Sequence, residues 1–128
     1  MDVLIVDDEP EILQWLTATL RPLGLDTVGA GSGEQALAML REREVGFVIT
    51  DFMMPGMDGA ELVRRIRAEQ PALPVVVMSG VGTPEDVVAV LRLGADDFLQ
   101  KPLKRESLLP RIDDLVRKAR IYEEARLF

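Results

Sequence analysis

Five short apolar runs punctuate the chain: Val3 to Val6, Thr27 to Ala30, Phe47 to Thr50, Val75 to Met78 and Asp97 to Leu99, with amphipathic segments of helix length between them. That alternation restricts the fold more than any other feature. Several runs are continuous and β-branched, the pattern of strands covered on both faces. Strands separated by helices pair in parallel through right-handed crossovers. The expectation is one α/β domain, five parallel strands with helices on both faces of the sheet. At 128 residues the chain is large enough for one sizeable core and too short for two.

The helical segments carry their own punctuation. Ile12, Leu13, Leu16, Leu20 and Leu23 recur at helical spacing, and Gly24 supplies a stop. Ser32 with Gln35 reads as a capping box that opens a second helix with Ala36, Leu37 and Leu40 inward. Leu62, Val63 and Ile66 form the inner stripe of a third. The fourth has Thr83 as N-cap, Pro84 at the first position, Asp86 in the first turn and Gly94 as the stop. A fifth, from about Arg105, presents Leu108, Ile112, Leu115, Ala119 and Tyr122 at alternating four- and three-residue steps. Pro110 lies beyond its first turn, so a lost hydrogen bond and a kink are expected unless the helix begins near Leu109.

Composition narrows the chemistry. With neither cysteine nor histidine, disulfides and thiolate sites are excluded and transition metals are poorly served, which leaves hard cations held by oxygen. A net charge of −7 argues against direct nucleic-acid binding by this chain, so a DNA-directed role needs another domain. No apolar stretch approaches the roughly 20 residues of a membrane helix. Met1 leads almost directly into a strand, with no room for a signal peptide, so the expected location is cytoplasmic, away from membranes.

The polar residues at the strand ends look like one site. Asp7 and Asp8 follow the first apolar run, Asp51 follows the third, and Lys101 follows the fifth and precedes Pro102. In an open parallel sheet, function gathers at the carboxyl ends of the strands, near the point where the strand order reverses. Three carboxylates in one pocket repel each other unless a cation offsets them, and Mg²⁺ is the natural candidate. With Mg²⁺ and the Lys101 ammonium the formal charge balances, leaving an ionised carboxylate able to attack phosphorus.

These residues sit within a wider pattern: Asp51 heads the run Asp51, Phe52, Met53, Met54, Pro55, Gly56, Met57, Asp58, Gly59, and Ser79 is followed by Gly80 after the fourth strand. In combination with Asp7, Asp8, Lys101 and Pro102, the chain resembles the receiver domain of two-component response regulators across nearly all of residues 1–120. The resemblance implies a flavodoxin-like (βα)5 domain with strand order 2-1-3-4-5, and residues 121–128 as a helical extension. It implies that Asp51 accepts a phosphoryl group from a sensor histidine kinase, a phosphotransfer protein or a small acyl phosphate. Asp8, Asp51 and the Met53 carbonyl would bind Mg²⁺, with Asp7 helping through water. Lys101 and the Ser79 hydroxyl would bind phosphate oxygens, and the Lys101–Pro102 peptide would be cis. On phosphorylation Ser79 would move toward Asp51 and Phe98 would turn inward, altering the face of the fourth helix, fifth strand and fifth helix, which controls an output domain or partner. Such a chain is a signalling domain with only self-phosphorylation and self-dephosphorylation activity, not a conventional enzyme.

Blander readings stand beside these. Asp7 and Asp8 alone could cap the first helix, Ser79 could be a turn residue, and Phe98 ordinary core. Met53, Met54 and Met57 are packing or partner-facing residues rather than a soft-metal site. Asp58 with Gly59 is a turn and helix start, and Asp96 with Asp97 a solvated or salt-bridged edge. Among function classes, a phospho-aspartate hydrolase would want a second aspartate where Met53 stands. A nucleotide- or flavin-binding module would want a glycine-rich loop where Asp7, Asp8 and Glu9 stand. A phosphate-independent interaction module of receiver type is the remaining alternative.

Departures from the family pattern carry expectations too. Asp96, Asp97 and Arg111 fit the charge pairs of receiver homodimers, but Val87 and Ser107 replace one pair, which argues against the dimer typical of winged-helix regulators. Met53 and Val81 lack a polar group that could orient a hydrolytic water, so slow loss of phosphate is expected. The tail from Arg117 to Phe128, with Ile121, Tyr122, Leu127 and Phe128 scattered among charges, reads as a helical linker to an output domain or as a docking surface for a separate partner or second copy.

Overall fold

A computed structural model of the protein describes residues 1–80 and 82–127. The apolar runs form β1 (Asp2–Val6), β2 (Asp26–Ala30), β3 (Phe47–Asp51), β4 (Val75–Ser79) and β5 (Asp97–Gln100). They alternate with α1 (Pro10–Leu20), α2 (Gly33–Glu42), α3 (Gly59–Glu69), α4 (Pro84–Arg92) and α5 (Arg105–Leu127). Every strand pairing is parallel, in the order β2-β1-β3-β4-β5, so the fold is the expected flavodoxin-like, doubly wound sheet. Each strand is one residue longer than its apolar run. At the carboxyl ends the extra residue is polar, because Asp51 still pairs with Met78 and Ser79 with Gln100.

The pleat divides the core into two layers. Leu4, Val6, Val48, Val75 and Val77 cluster with Ala36, Leu37, Leu62, Ile66 and Val90 of α2, α3 and α4. Val3, Ile5, Ile49, Val76 and Met78 cluster with Leu16, Leu20, Leu108, Ile112 and Leu115 of α1 and α5. Each fully buried aliphatic side chain contributes roughly 1.5–3 kcal/mol, so this two-sided burial holds the central strands rigid. It also pins their polar ends.

Helix ends follow local chemistry, with two corrections. Helix α1 ends at Leu20 and passes through a 3₁₀ turn, Arg21–Leu23, before Gly24 reverses the chain at φ +79°. Ser32 caps α2 by accepting from the Gln35 N–H at 3.1 Å, but the Gln35 side chain accepts from Gly31 N–H rather than returning to Ser32, so only half the expected capping box forms. At α4 the box is complete, with Thr83 and Asp86 exchanging hydrogen bonds of 3.1 and 3.2 Å. Helix α5 does not begin near Leu109. The Ser107 and Leu108 N–H groups already donate to the Lys104 carbonyl, so Pro110 sits inside the helix and the Glu106 carbonyl lacks its usual N–H partner four residues on.

The edge at Asp96 and Asp97 is the salt-bridged one of the two expected, and at Asp96 it reaches the backbone as well. Its carboxylate accepts from Arg67 and from the Val75 N–H, both at 2.8 Å, and meets Lys118 of α5 at 3.5 Å. Arg67 also donates to the carbonyls of Gly94, Gln70 and Leu73, tying the end of α3 to the starts of β4 and β5 and the end of α4. Asp97 pairs with Arg111 within the chain. Beyond residue 120, α5 keeps Tyr122 half-buried against the core, whereas Ile121 is 61 % exposed. Phe128 and the Leu127 side chain lie outside the described residues. No described helix is long and apolar enough to cross a membrane.

Candidate functional site

The strand order reverses beside β1: its successor β2 lies on one flank and β3 on the other. The crevice beyond the carboxyl ends of β1 and β3 is therefore the sheet's switch point, where crossover loops diverge and leave room for a ligand. Asp7 and Asp8 leave β1 there, Asp51 closes β3, Ser79 closes β4, and Lys101 follows β5.

The backbone fixes these groups before their side chains interact. Asp7 N–H donates to the Ala30 carbonyl at 3.0 Å, and an Asp7 carboxylate oxygen accepts from Glu9 N–H at 2.9 Å. Glu9, and neither Asp7 nor Asp8, is the N-cap residue of α1, so the capping alternative for the acidic pair does not hold. The Lys101 N–H donates to the Ser79 carbonyl at 2.8 Å, which anchors the lysine to the strand beside Asp51, and the Lys101–Pro102 peptide is cis.

Asp7 is fully buried and Asp51 only 5 % exposed. The Lys101 ammonium lies 3.1 Å from Asp7 and 3.4 Å from Asp51, bridging the two. Burial, and then the charge of Asp7, raise the Asp51 pKa against the opposing pull of Lys101 and the hydrogen bond from the Met53 backbone. Burial alone would lower the Lys101 pKa, but its hydrogen bond to Asp7 and the charges of Asp51 and Asp7 outweigh it, and the ammonium is held above its usual range. One cation thus partly offsets two buried carboxylates, and negative charge remains in excess.

A carboxylate oxygen from each of Asp7, Asp8, Glu9 and Asp51 lies within 4.8 Å of the others, with Asp8 and Glu9 exposed at the rim. An all-oxygen, net-negative donor set fits a hard divalent cation and is compatible with Mg²⁺. Ser79 is buried one residue beyond the Asp51–Met78 pair, and Met53, two residues after Asp51, is 59 % exposed. Phe98 lies on β5, with its ring against Gly82. Val81, expected with Met53 to leave a hydrolytic water unoriented, lies outside the described residues.

Three contributors escaped the motif reading. Glu9 belongs to the carboxylate group, and its place in the acidic run was the available signal. The Thr50 hydroxyl, fully buried, donates to the Asp51 carbonyl at 3.0 Å. Gly59 N–H donates to the Phe52 carbonyl at 2.8 Å, and a Cβ there would collide with the Asp51 carbonyl oxygen and Phe52 Cα, so glycine lets α3 start directly on the acidic loop.

Residues 3–113 match the response regulator receiver domain family. The DNA-binding response regulator MtrA of Mycolicibacterium smegmatis is 39 % identical over 116 residues, covering 91 % of this chain and 50 % of that protein. The chain spans about half the length of the curated relatives it matches. Among solved structures, a receiver domain from Clostridium thermocellum is 27 % identical with a TM-score of 0.87, covering 94 % of this chain and 97 % of that one. NtrX from Brucella abortus is 33 % identical with a TM-score of 0.87, over 98 % of this chain and 29 % of its own. With the acidic crevice, the bridging lysine and the strand order all in place, the chain belongs to the response regulator receiver domain family of two-component systems.

Proposed function

We propose that this receiver takes a phosphoryl group onto Asp51 from a phosphohistidine of a sensor kinase or phosphotransfer protein, in a Mg²⁺-dependent step, and passes the change to an output domain. The observation that carries this reading is the Lys101 ammonium, set between Asp7 and Asp51 at the sheet's switch point. An Asp51 oxygen attacks phosphorus, the phosphorus–nitrogen bond to the donor imidazole breaks, and the imidazole leaves with its electron pair and takes up a proton. An aspartyl phosphate remains. Lys101 binds the equatorial oxygens as charge shifts onto them, and the Ser79 hydroxyl donates to one of them.

Asp8, Asp51 and the Met53 carbonyl would hold Mg²⁺, with Asp7 helping through water. When bound, the ion supplies positive charge to the phosphoryl oxygens and offsets the crowded carboxylates. The protein donor is another protein or domain, since the chain has no histidine.

The switching face is α4, β5 and α5, with Ser79 and Phe98 as the moving side chains. The curated relatives are about twice as long as the matched region, and several are named DNA-binding response regulators. That supports residues 1–120 as the receiver and the remainder of α5 as a linker to an output domain. The similarity to NtrX runs through 98 % of this chain within a much longer one, which favours the linker over a docking surface. Intramolecular pairing of Asp97 with Arg111 occupies two of the charges a homodimer would use. A cytoplasmic location follows from the same reading.

Intact mass after incubation with acetyl phosphate tests it. One added phosphoryl group that requires Mg²⁺ and is absent in Asp51→Asn is the expected result. No adduct from acetyl phosphate or from candidate kinases would overturn the reading in favour of a phosphate-independent interaction module.

A further inference from the structure

Gly82 faces an aromatic ring that a side chain there would strike. Among the described glycines, positive φ angles occur at Gly24, Gly56 and Gly94. What constrains Gly82 is its neighbour across the sheet edge. A Cβ built on Gly82 would sit 3.1 Å from Phe98 Cζ and 3.7 and 3.9 Å from its two Cε atoms, so its three nearest neighbours all belong to one ring. At 3.1 Å the ring must give way.

The contact joins two parts of the proposed switch. Gly82 is three residues after Ser79 and immediately precedes Thr83, the N-cap of α4. Phe98 is central in β5, paired with Val77 of β4. Helix α4 is held at its far end, where Arg67 donates to the Gly94 carbonyl at 2.7 Å, and Val90 is its buried residue. Its near end depends on its own capping box and on whatever supports the connection before it. Phe98 also borders a cleft of about 390 Å³, lined by Lys101, Lys104, Ser107 and Arg111 among others.

The geometry points to Gly82 as the seat of the Phe98 ring, a positioning residue that sets the resting place of the aromatic switch and thereby the readiness of the Asp51 site. This rests on the proposed phosphoryl acceptance. A side chain at position 82 unseats the ring, by a few tenths of an ångström for alanine and further for valine, and shifts the balance of the β4–α4 connection against which Ser79 must move.

The test is a double-mutant cycle of Gly82→Ala and Gly82→Val, each in the natural and in the Phe98→Ala background. One readout is the ¹⁹F signal of 4-fluorophenylalanine at Phe98, identified among the four phenylalanines by its loss in Phe98→Ala. The other is the rate constant of phosphorylation by acetyl phosphate with Mg²⁺. Expected are a displaced Phe98 signal in both variants, larger for valine, and a change in rate of about threefold or more for Gly82→Val that falls within about 1.5-fold once Phe98 is alanine. An unmoved signal, or equal rate effects in both backgrounds, overturns the seat. A natural protein that takes no phosphoryl group overturns the functional reading and the proposal with it, a result distinct from either of those.

Discussion

Asp51 is an acid kept where ionisation is disfavoured, by burial first and by the neighbouring charge of Asp7 second. A carboxyl whose folded pKa is raised contributes stability below its ordinary value, 3.8, and loses it as pH rises through the raised one. At neutral pH the ionised Asp51 is therefore a cost of function, and removing its charge relieves it. Asp51→Asn should melt higher at pH 7, by roughly 3–6 °C for each kcal/mol relieved, with the gain vanishing below pH 3.8. Melting curves at the two pH values check this. Met53 bears on the lifetime of the aspartyl phosphate. Its exposed apolar side chain two residues after Asp51 offers an attacking water no hydrogen bond, so the phosphorylated form should persist for minutes or longer in Mg²⁺ buffer. Met53→Asn should shorten that half-life by about threefold or more, read by intact mass against time.

Among the elements, α5 and α4 carry the least conventional designs. Pro110 occupies the interior of α5 and leaves the Glu106 carbonyl without a helical donor. Both residues are exposed, so water meets part of that need, and Pro110→Ala should raise stability by roughly 1–3 kcal/mol in urea unfolding. Helix α4 is fastened at its end by Arg67, whose guanidinium serves three carbonyls and Asp96 together. Planar, forked donors suit that task and a lysine ammonium does not. Arg67→Ala should cost about 2–3 kcal/mol, since it leaves part-buried acceptors unserved, and Arg67→Lys should recover only part of it. Chemical denaturation of the three proteins measures both numbers.

For the whole molecule, the two-layered core makes the sheet a fixed platform and leaves adaptability to the loops at its carboxyl edge. The boundary of that platform is testable. A chain ended after Arg120 loses the packing of Tyr122, which should cost about 1–2 kcal/mol, while Asp7, Asp8, Glu9, Asp51 and Lys101 stay in place. It should still unfold in one cooperative transition and still gain a phosphoryl group on Asp51. Circular dichroism melts and intact mass decide whether residues 121–128 lie outside the receiver.

The apolar runs, the Thr83 cap and the stops at Gly24 and Gly94 were legible because each depends on near neighbours: side-chain periodicity, a hydroxyl three residues from an N–H, a backbone that only glycine adopts readily. The grouping of Asp7, Asp8, Asp51 and Lys101 was legible because parallel strands with right-handed crossovers bring all their carboxyl ends to one edge. Three-dimensional packing decided the rest. The true start of α5 turned on whether the Lys104 carbonyl found donors in Ser107 and Leu108. Whether Gln35 answered Ser32 or Gly31 depended on a choice between adjacent N–H groups. Asp96 became an interlock because Arg67, 29 residues away, reached it. Gly59 and Gly82 owe their places to the Asp51 backbone and the Phe98 ring. Local propensity is written in neighbouring letters, whereas steric exclusion between distant segments exists only once the chain has closed on itself.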